Sequence, residues 1–156
     1  MKPEIKSLSA KTLLGLKTKM SIANNSTGEL WARFIPLSKE IKNKVSSDKI
    51  SLQIYPKDFF KNFSPVTDFE KWAGVFVEGK NVWNKELDVL EIPEGKYAVF
   101  NYKGLAGDSK IFQYIYGEWL PQSGFNLDQR PHFEVLGENY SNTSPDSEEE
   151  IWIPIK

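Results

Sequence analysis

Cysteine is absent from the chain. Disulfides, thiol nucleophiles and cysteine-based zinc sites are thereby excluded, and a cytoplasmic setting, where folds do without cross-links, is expected. Histidine occurs once, as His132 between Pro131 and Phe133. With no second histidine and no thiol to complete a ligand set, it reads as structural, and no metal is expected. Neither a "GxxxxGK" phosphate loop nor a "GxGxxG" fingerprint is present, so no cofactor is expected, and the serines lack a nucleophile-elbow motif.

Charge of one sign is also lacking. Twenty basic side chains face 21 acidic ones, a net charge of -1, with no cationic stripe to release counterions from a phosphate backbone. Long apolar runs are missing too. Stretches such as "TLLGL" are too short to span a bilayer, and the N-terminus has no apolar run ending in a small-residue cleavage site. Neither nucleic acid nor membrane is an expected partner.

Aromatic residues are plentiful: five Trp, six Tyr and ten Phe in 156 residues. That exceeds what a single core of this size plainly needs, so some are expected to bind a ligand. The chain also repeats itself. Sliding residues 8–19, "LSAKTLLGLKTK", onto residues 92–103, "IPEGKYAVFNYK", so that Lys11 falls on Lys96 gives an offset of 85 (96 − 11), and the same slide sets "FIP" at Phe34 on "WLP" at Trp119.

Each half predicts strand, helix, strand, strand. In the first, a strand near Thr12–Thr18 precedes a segment whose Leu30, Phe34, Leu37, Ile41 and Val45 recur at helical spacing. Pro36 is expected to bend or interrupt that helix, and the strands "KISLQIY" and "KWAGVFV" follow. In the second, "GKYAVFNY" is the strand, "SKIFQYIYGEWL" the helix that Pro121 stops, and "HFEVL" and "EIWIPI" the closing strands; an extra strand is expected at Leu87–Ile92. The expectation is one α+β domain over residues 1–156, with halves at about 4–80 and 87–156. Antiparallel sheets carry helices on the outer side, and a ligand crevice lies between halves related by a pseudo-twofold.

Strand parity assigns the faces. Ile50, Leu52 and Ile54 fall on one side of their strand and Ser51, Gln53 and Tyr55 on the other; Ala73, Val75 and Val77 alternate with Trp72, Gly74 and Phe76; Ile151, Ile153 and Ile155 alternate with Glu150, Trp152 and Pro154. The aliphatic rows are expected to pack against helices. Leaving the aromatic rows in water would forgo about 2 kcal/mol per tryptophan, so they should line the crevice: Tyr55, Trp72, Phe76 and Trp152 around Glu150. Tyr116 and Trp119 share one side of the second helix, Trp31 and Phe34 hold the corresponding places in the first, and these four are expected to close the ends of the crevice.

A carboxylate among rings has two uses. Alone, its pKa rises and it serves as acid or base near neutrality. Beside a cationic guest it stays ionised, and each cation–π contact adds about 0.5–2 kcal/mol. A plainer reading competes, since Glu150 ends the run "SPDSEEE" and acidic runs are ordinarily solvated.

At "LEIPEGKYAVFNYKG", "YIYGEWLPQSGF", "HFEVL" and "EEEIWIPIK" the sequence resembles the GyrI-like, or AraC-type effector-binding, family of small-molecule-binding domains. The resemblance is densest from Leu90 to Lys156 and extends through "LWARFIPLSKEI" and "WAGVFV". It implies a duplicated strand-helix-strand-strand fold around a central crevice, a pocket glutamate at Glu150 that pairs with cationic drugs, and pocket aromatics at Tyr116 and Trp119. Many members place this domain after a helix-turn-helix segment; this chain opens on a strand, so a stand-alone binder, or a module serving another polypeptide, is expected.

The leading expectation is a non-catalytic domain for amphipathic, cationic aromatic compounds, in sensing, sequestration or transcription regulation. The alternatives are a hydrolase of electrophilic small molecules using Glu150 and a protein-interaction inhibitor of the DNA gyrase type. A protein partner or a homodimer is left open.

Overall fold

The structure, a computed structural model, describes residues 1–82 and 84–156. Eight strands form one antiparallel sheet: β1 (Glu4–Leu8), β2 (Lys11–Met20), β3 (Lys49–Ile54), β4 (Phe69–Val77), β5 (Asp88–Ile92), β6 (Gly95–Lys103), β7 (His132–Leu136) and β8 (Glu148–Pro154), in the order β1-β6-β8-β7-β3-β4-β2-β5. The antiparallel strands of the two halves form one continuous sheet, joined where β3 meets β7. β1 was not expected; it pairs with β6 of the second half, while β5 pairs with β2 of the first. Each leading strand therefore completes the opposite half. Leu8 stands opposite Gly95 and Lys11 opposite Ile92, pairs that exchange under a shift of 84 residues (92 − 8 and 95 − 11), one fewer than the repeat suggests.

Helix α1 (Thr27–Ser38) packs Leu30 and Phe34 onto Leu14, Leu16, Ala73 and Val75 of β2 and β4. It runs through Pro36, whose missing N–H leaves the Ala32 carbonyl without its helical donor, and ends two residues later at Ser38. Ile41 stays in that core from the following loop, whereas Val45, expected on the same helix face, is 52% exposed.

The second helical run begins as α2 (Lys110–Tyr114), widens into a π-helical turn (Ile115–Trp119) and finishes as α3 (Leu120–Ser123). Pro121 does not stop it. The wide turn, in which the Leu120 N–H donates to the Ile115 carbonyl, comes just before the proline, and the run ends at Gly124 with φ 81°, a left-handed conformation natural to glycine. Ile111 and Ile115 pack onto Ala98, Phe100, Ile151 and Ile153 of β6 and β8. Burying each such aliphatic chain stabilises the fold by about 1.5–3 kcal/mol.

Both helical segments lie on the same face of the sheet, over its two wings. The opposite face has its own core, in which Leu13, Ile50, Leu52, Trp72, Tyr97 and Phe133 are buried and Phe76 and Trp152 pack against them. This corrects the facing of β3. Leu52 pairs with Trp72 and Ile50 with Gly74, so the aliphatic row of β3 lies with the aromatic row of β4, and Ser51, Gln53 and Tyr55 turn toward the helices. The reason is local: among the described residues the helices pack over the two wings and none packs down onto the β3–β7 seam, so its helix-side row faces a cavity.

Candidate functional site

Above that seam lies a cavity of about 930 Å³, bounded by the seam, by Phe112 and Tyr116 of the second helical run and by the residues before α1. Strand alternation supplies its floor. Gln53 pairs with His132 and with Lys71, and Ser51 pairs with Glu134, which puts an amide, an imidazole, an ammonium and a carboxyl group on one face.

The segment after β3 builds an aromatic wall. Asp58 adopts φ 61°, which aspartate tolerates better than most residues, and turns the chain so that Phe59 packs beside Tyr55 with ring centroids 4.6 Å apart. Phe60 crosses to the other half and stacks on Tyr116 at 4.3 Å with the ring planes 22° apart. Tyr116 comes from the π-helical turn, a local widening that re-aims a side chain. Its hydroxyl meets Nδ1 of His132 at 2.8 Å, and Tyr55 packs edge-on to the same imidazole at 4.9 Å.

The enclosure shifts every titratable group in it. Burial pulls His132 down to about 3, assisted by the Arg130 charge, so the imidazole is neutral. Burial raises the phenols of Tyr55 and Tyr116, keeping both protonated. Lys71, 5% exposed, has its ammonium lowered chiefly by burial, with Glu134 and Glu149 opposing, and donates to Ser51 Oγ at 2.6 Å. Glu134 leaves part of its surface open. Because it lines the cavity, that opening is toward the enclosed space. Desolvation raises its pKa, partly offset by Lys71 and by a hydrogen bond to Gln53. Glu149, next along the face, is raised to about 7 by desolvation and then by Glu134.

Of the residues singled out from sequence, the structure brings Tyr55, Tyr116 and Trp152 to this cavity. Trp152 meets it at the floor while its ring stacks on Phe133 in the opposite-face core, centroids 5.2 Å apart. Glu150 is elsewhere. It shares the opposite face with Trp152, accepts that indole N–H at 3.1 Å, and lines a separate hollow of about 470 Å³ with Glu148, Glu149 and Asp48. Trp72 repeats the arrangement, donating to Glu70 at 3.1 Å, and a lysine lies over each indole, Lys17 over Trp72 and Lys6 over Trp152. Trp72 and Phe76 belong to the opposite-face core. Trp31 and Phe34 pack edge to face in the α1 core, and Trp119 lies against Phe100 and Phe125 in the other helical core.

Sequence reasoning passed over Phe60, Lys71 and Glu134. The signals were there: "DFFKNF" is an aromatic loop, Lys71 follows Glu70 directly into the apolar run "WAGVFV", and Glu134 is the one carboxylate in "HFEVL". Charges so placed are rare unless something pairs with them.

No helix among the described residues is long and apolar enough to cross a membrane. Comparison with known proteins agrees with this architecture. The chain is 30% identical over 147 residues to the transcriptional regulator BrlR of Pseudomonas aeruginosa, a match covering 92% of this chain and 52% of that protein, so the chain spans about half the length of that curated relative. The solved structure of SAV2435 bound to tetraphenylphosphonium superposes with a TM-score of 0.75 at 18% identity, over 100% of this chain and 94% of that one. A hydrolase of Listeria innocua has the same fold with a TM-score of 0.58 at 11% identity, over 99% of this chain and 92% of that one. The model of the GyrI-like small molecule binding domain matches residues 1–156 from end to end, and with the duplicated sheet and its central cavity it places the chain in that family.

Proposed function

We propose that the cavity over the β3–β7 seam binds amphipathic aromatic cations, in a sensing or sequestering role. The observation that carries this reading is an enclosed carboxyl group, Glu134, in the floor of a space walled by Tyr55, Phe60 and Tyr116. The counter-ion role expected of Glu150 passes to Glu134. A guest cation there gains an ionic partner screened from water and the negative faces of aromatic rings, each good contact adding about 0.5–2 kcal/mol. Lys71 does not cancel the site, because burial already favours its neutral amine and a second cation nearby favours it further. The bound ligand of SAV2435 is a lipophilic aromatic cation, which supports the same class here.

Equilibrium titration with tetraphenylphosphonium tests the reading. Wild type is expected to bind, and Glu134→Gln to bind at least about tenfold more weakly, a loss of about 1.4 kcal/mol. Equal affinities would remove the electrostatic half of the proposal.

A hydrolytic reading has one observation on its side: the Glu134 carboxyl, raised by desolvation, faces a space large enough for a small electrophile. It predicts multiple turnover of a strained or activated substrate that is lost in Glu134→Gln. A broad panel of electrophiles without turnover would remove it.

A further inference from the structure

Cation binding gives no role to a lysine in the cavity floor. Lys71 is 5% exposed, lines the cavity, and hydrogen-bonds Ser51 Oγ at 2.6 Å. No ion pair holds its ammonium among the described residues. Burying a lysine without an ion pair is expensive, and a salt-bridged or apolar residue would fill a merely structural position at lower cost.

Resting on the reading of this cavity as a ligand site, we propose that Lys71 is a covalent capture site for aromatic aldehydes and ketones, which condense with its amine to form an imine. Three features of the place favour that reaction. The amine lies in a low-dielectric pocket that favours its uncharged, nucleophilic form, as burial does here. The walls, Tyr55, Phe60 and Tyr116, suit a flat ring attached to the carbonyl carbon. Glu134, electrostatically coupled to Lys71 and protonated more readily than an exposed carboxyl group, supplies an acid.

The chemistry balances without any other reactant. The amine lone pair forms a C–N bond to the carbonyl carbon as the oxygen takes a proton from Glu134, giving a carbinolamine. The nitrogen returns a proton to the carboxylate. A second proton transfer from Glu134 expels the hydroxyl as water as the C=N bond forms, and loss of the last N–H proton restores the acid. One water leaves for each imine formed.

The test is reductive trapping on the wild-type protein, using benzaldehyde with cyanoborohydride near neutral pH and mapping modified lysines by peptide mass spectrometry over time. Burial lowers the Lys71 ammonium and so enlarges its free-amine fraction near neutral pH, and Lys71 is expected to be modified faster than exposed Lys17 or Lys57, a ratio of rates above one. Tetraphenylphosphonium is expected to slow Lys71 modification and leave the exposed lysines unaffected. Modification of exposed lysines with Lys71 spared, in protein that binds tetraphenylphosphonium, would overturn the capture proposal and leave the cation site standing. Lys71 spared in protein that also fails to bind tetraphenylphosphonium would overturn both.

Discussion

The phenol oxygen of Tyr116 lies 2.8 Å from Nδ1 of His132, tying the π-helical turn of the second half to the first residue of β7 at the central seam. The imidazole is 5% exposed and neutral, so this bond meets a polar need that water does not serve. Tyr116→Phe leaves that nitrogen without its partner and is expected to cost about 1–3 kcal/mol of stability. Urea unfolding followed by fluorescence checks it; an unchanged midpoint would mean the bond contributes nothing net.

Affinity for an aromatic cation is expected to rise with pH. The cation favours ionised carboxylates and a neutral Lys71, and each of those forms gains as protons are withdrawn. Glu149, raised to about 7 and coupled to both Glu134 and Lys71, sets the window: binding strengthens as pH rises through neutrality, by at most about tenfold per unit for each proton released. Tetraphenylphosphonium titrations from pH 5 to 9 measure the slope. In Glu149→Gln the part centred near 7 is expected to disappear.

Gly15 of β2 stands opposite Gly74 of β4, and a Cβ at Gly15 would fall on the Ala73 carbonyl oxygen. Backbone cannot yield as a flexible side chain does. Gly15→Ala is therefore expected to lower stability by about 1–3 kcal/mol without touching the cavity, an outcome that thermal unfolding and cation titration on the same protein resolve together.

Much of this architecture is legible in the residues alone. The repeat and the period-two rows in "WAGVFV" and "EIWIPI" mark the wings of the sheet, and the rows Ala73–Val77 and Ile151–Ile155 do pack against helices. "SLQIY" misleads because parity tells which residues share a face and not which face it is. That depends on the partner strands and on what covers them, and at β3 one partner is β7, far along the chain, with no helix packed above the pair among the described residues. The same gap explains the site. Glu150, conspicuous beside Trp152, is held by that indole, whereas Glu134 and Lys71 gain significance only when β3 brings β4 and β7 together on one floor. Phe60 reaches Tyr116 through a turn set by Asp58, a backbone feature with no periodic signal.

The most direct test of where a ligand sits is a crystal structure of the protein with tetraphenylphosphonium. Density for the cation above the β3–β7 seam, in contact with Tyr55 and Tyr116 and nearer to Glu134 than to any other carboxylate, is the predicted result. Density in the hollow beside Glu150, or a seam cavity left unfilled by a cation bound elsewhere, would contradict the account.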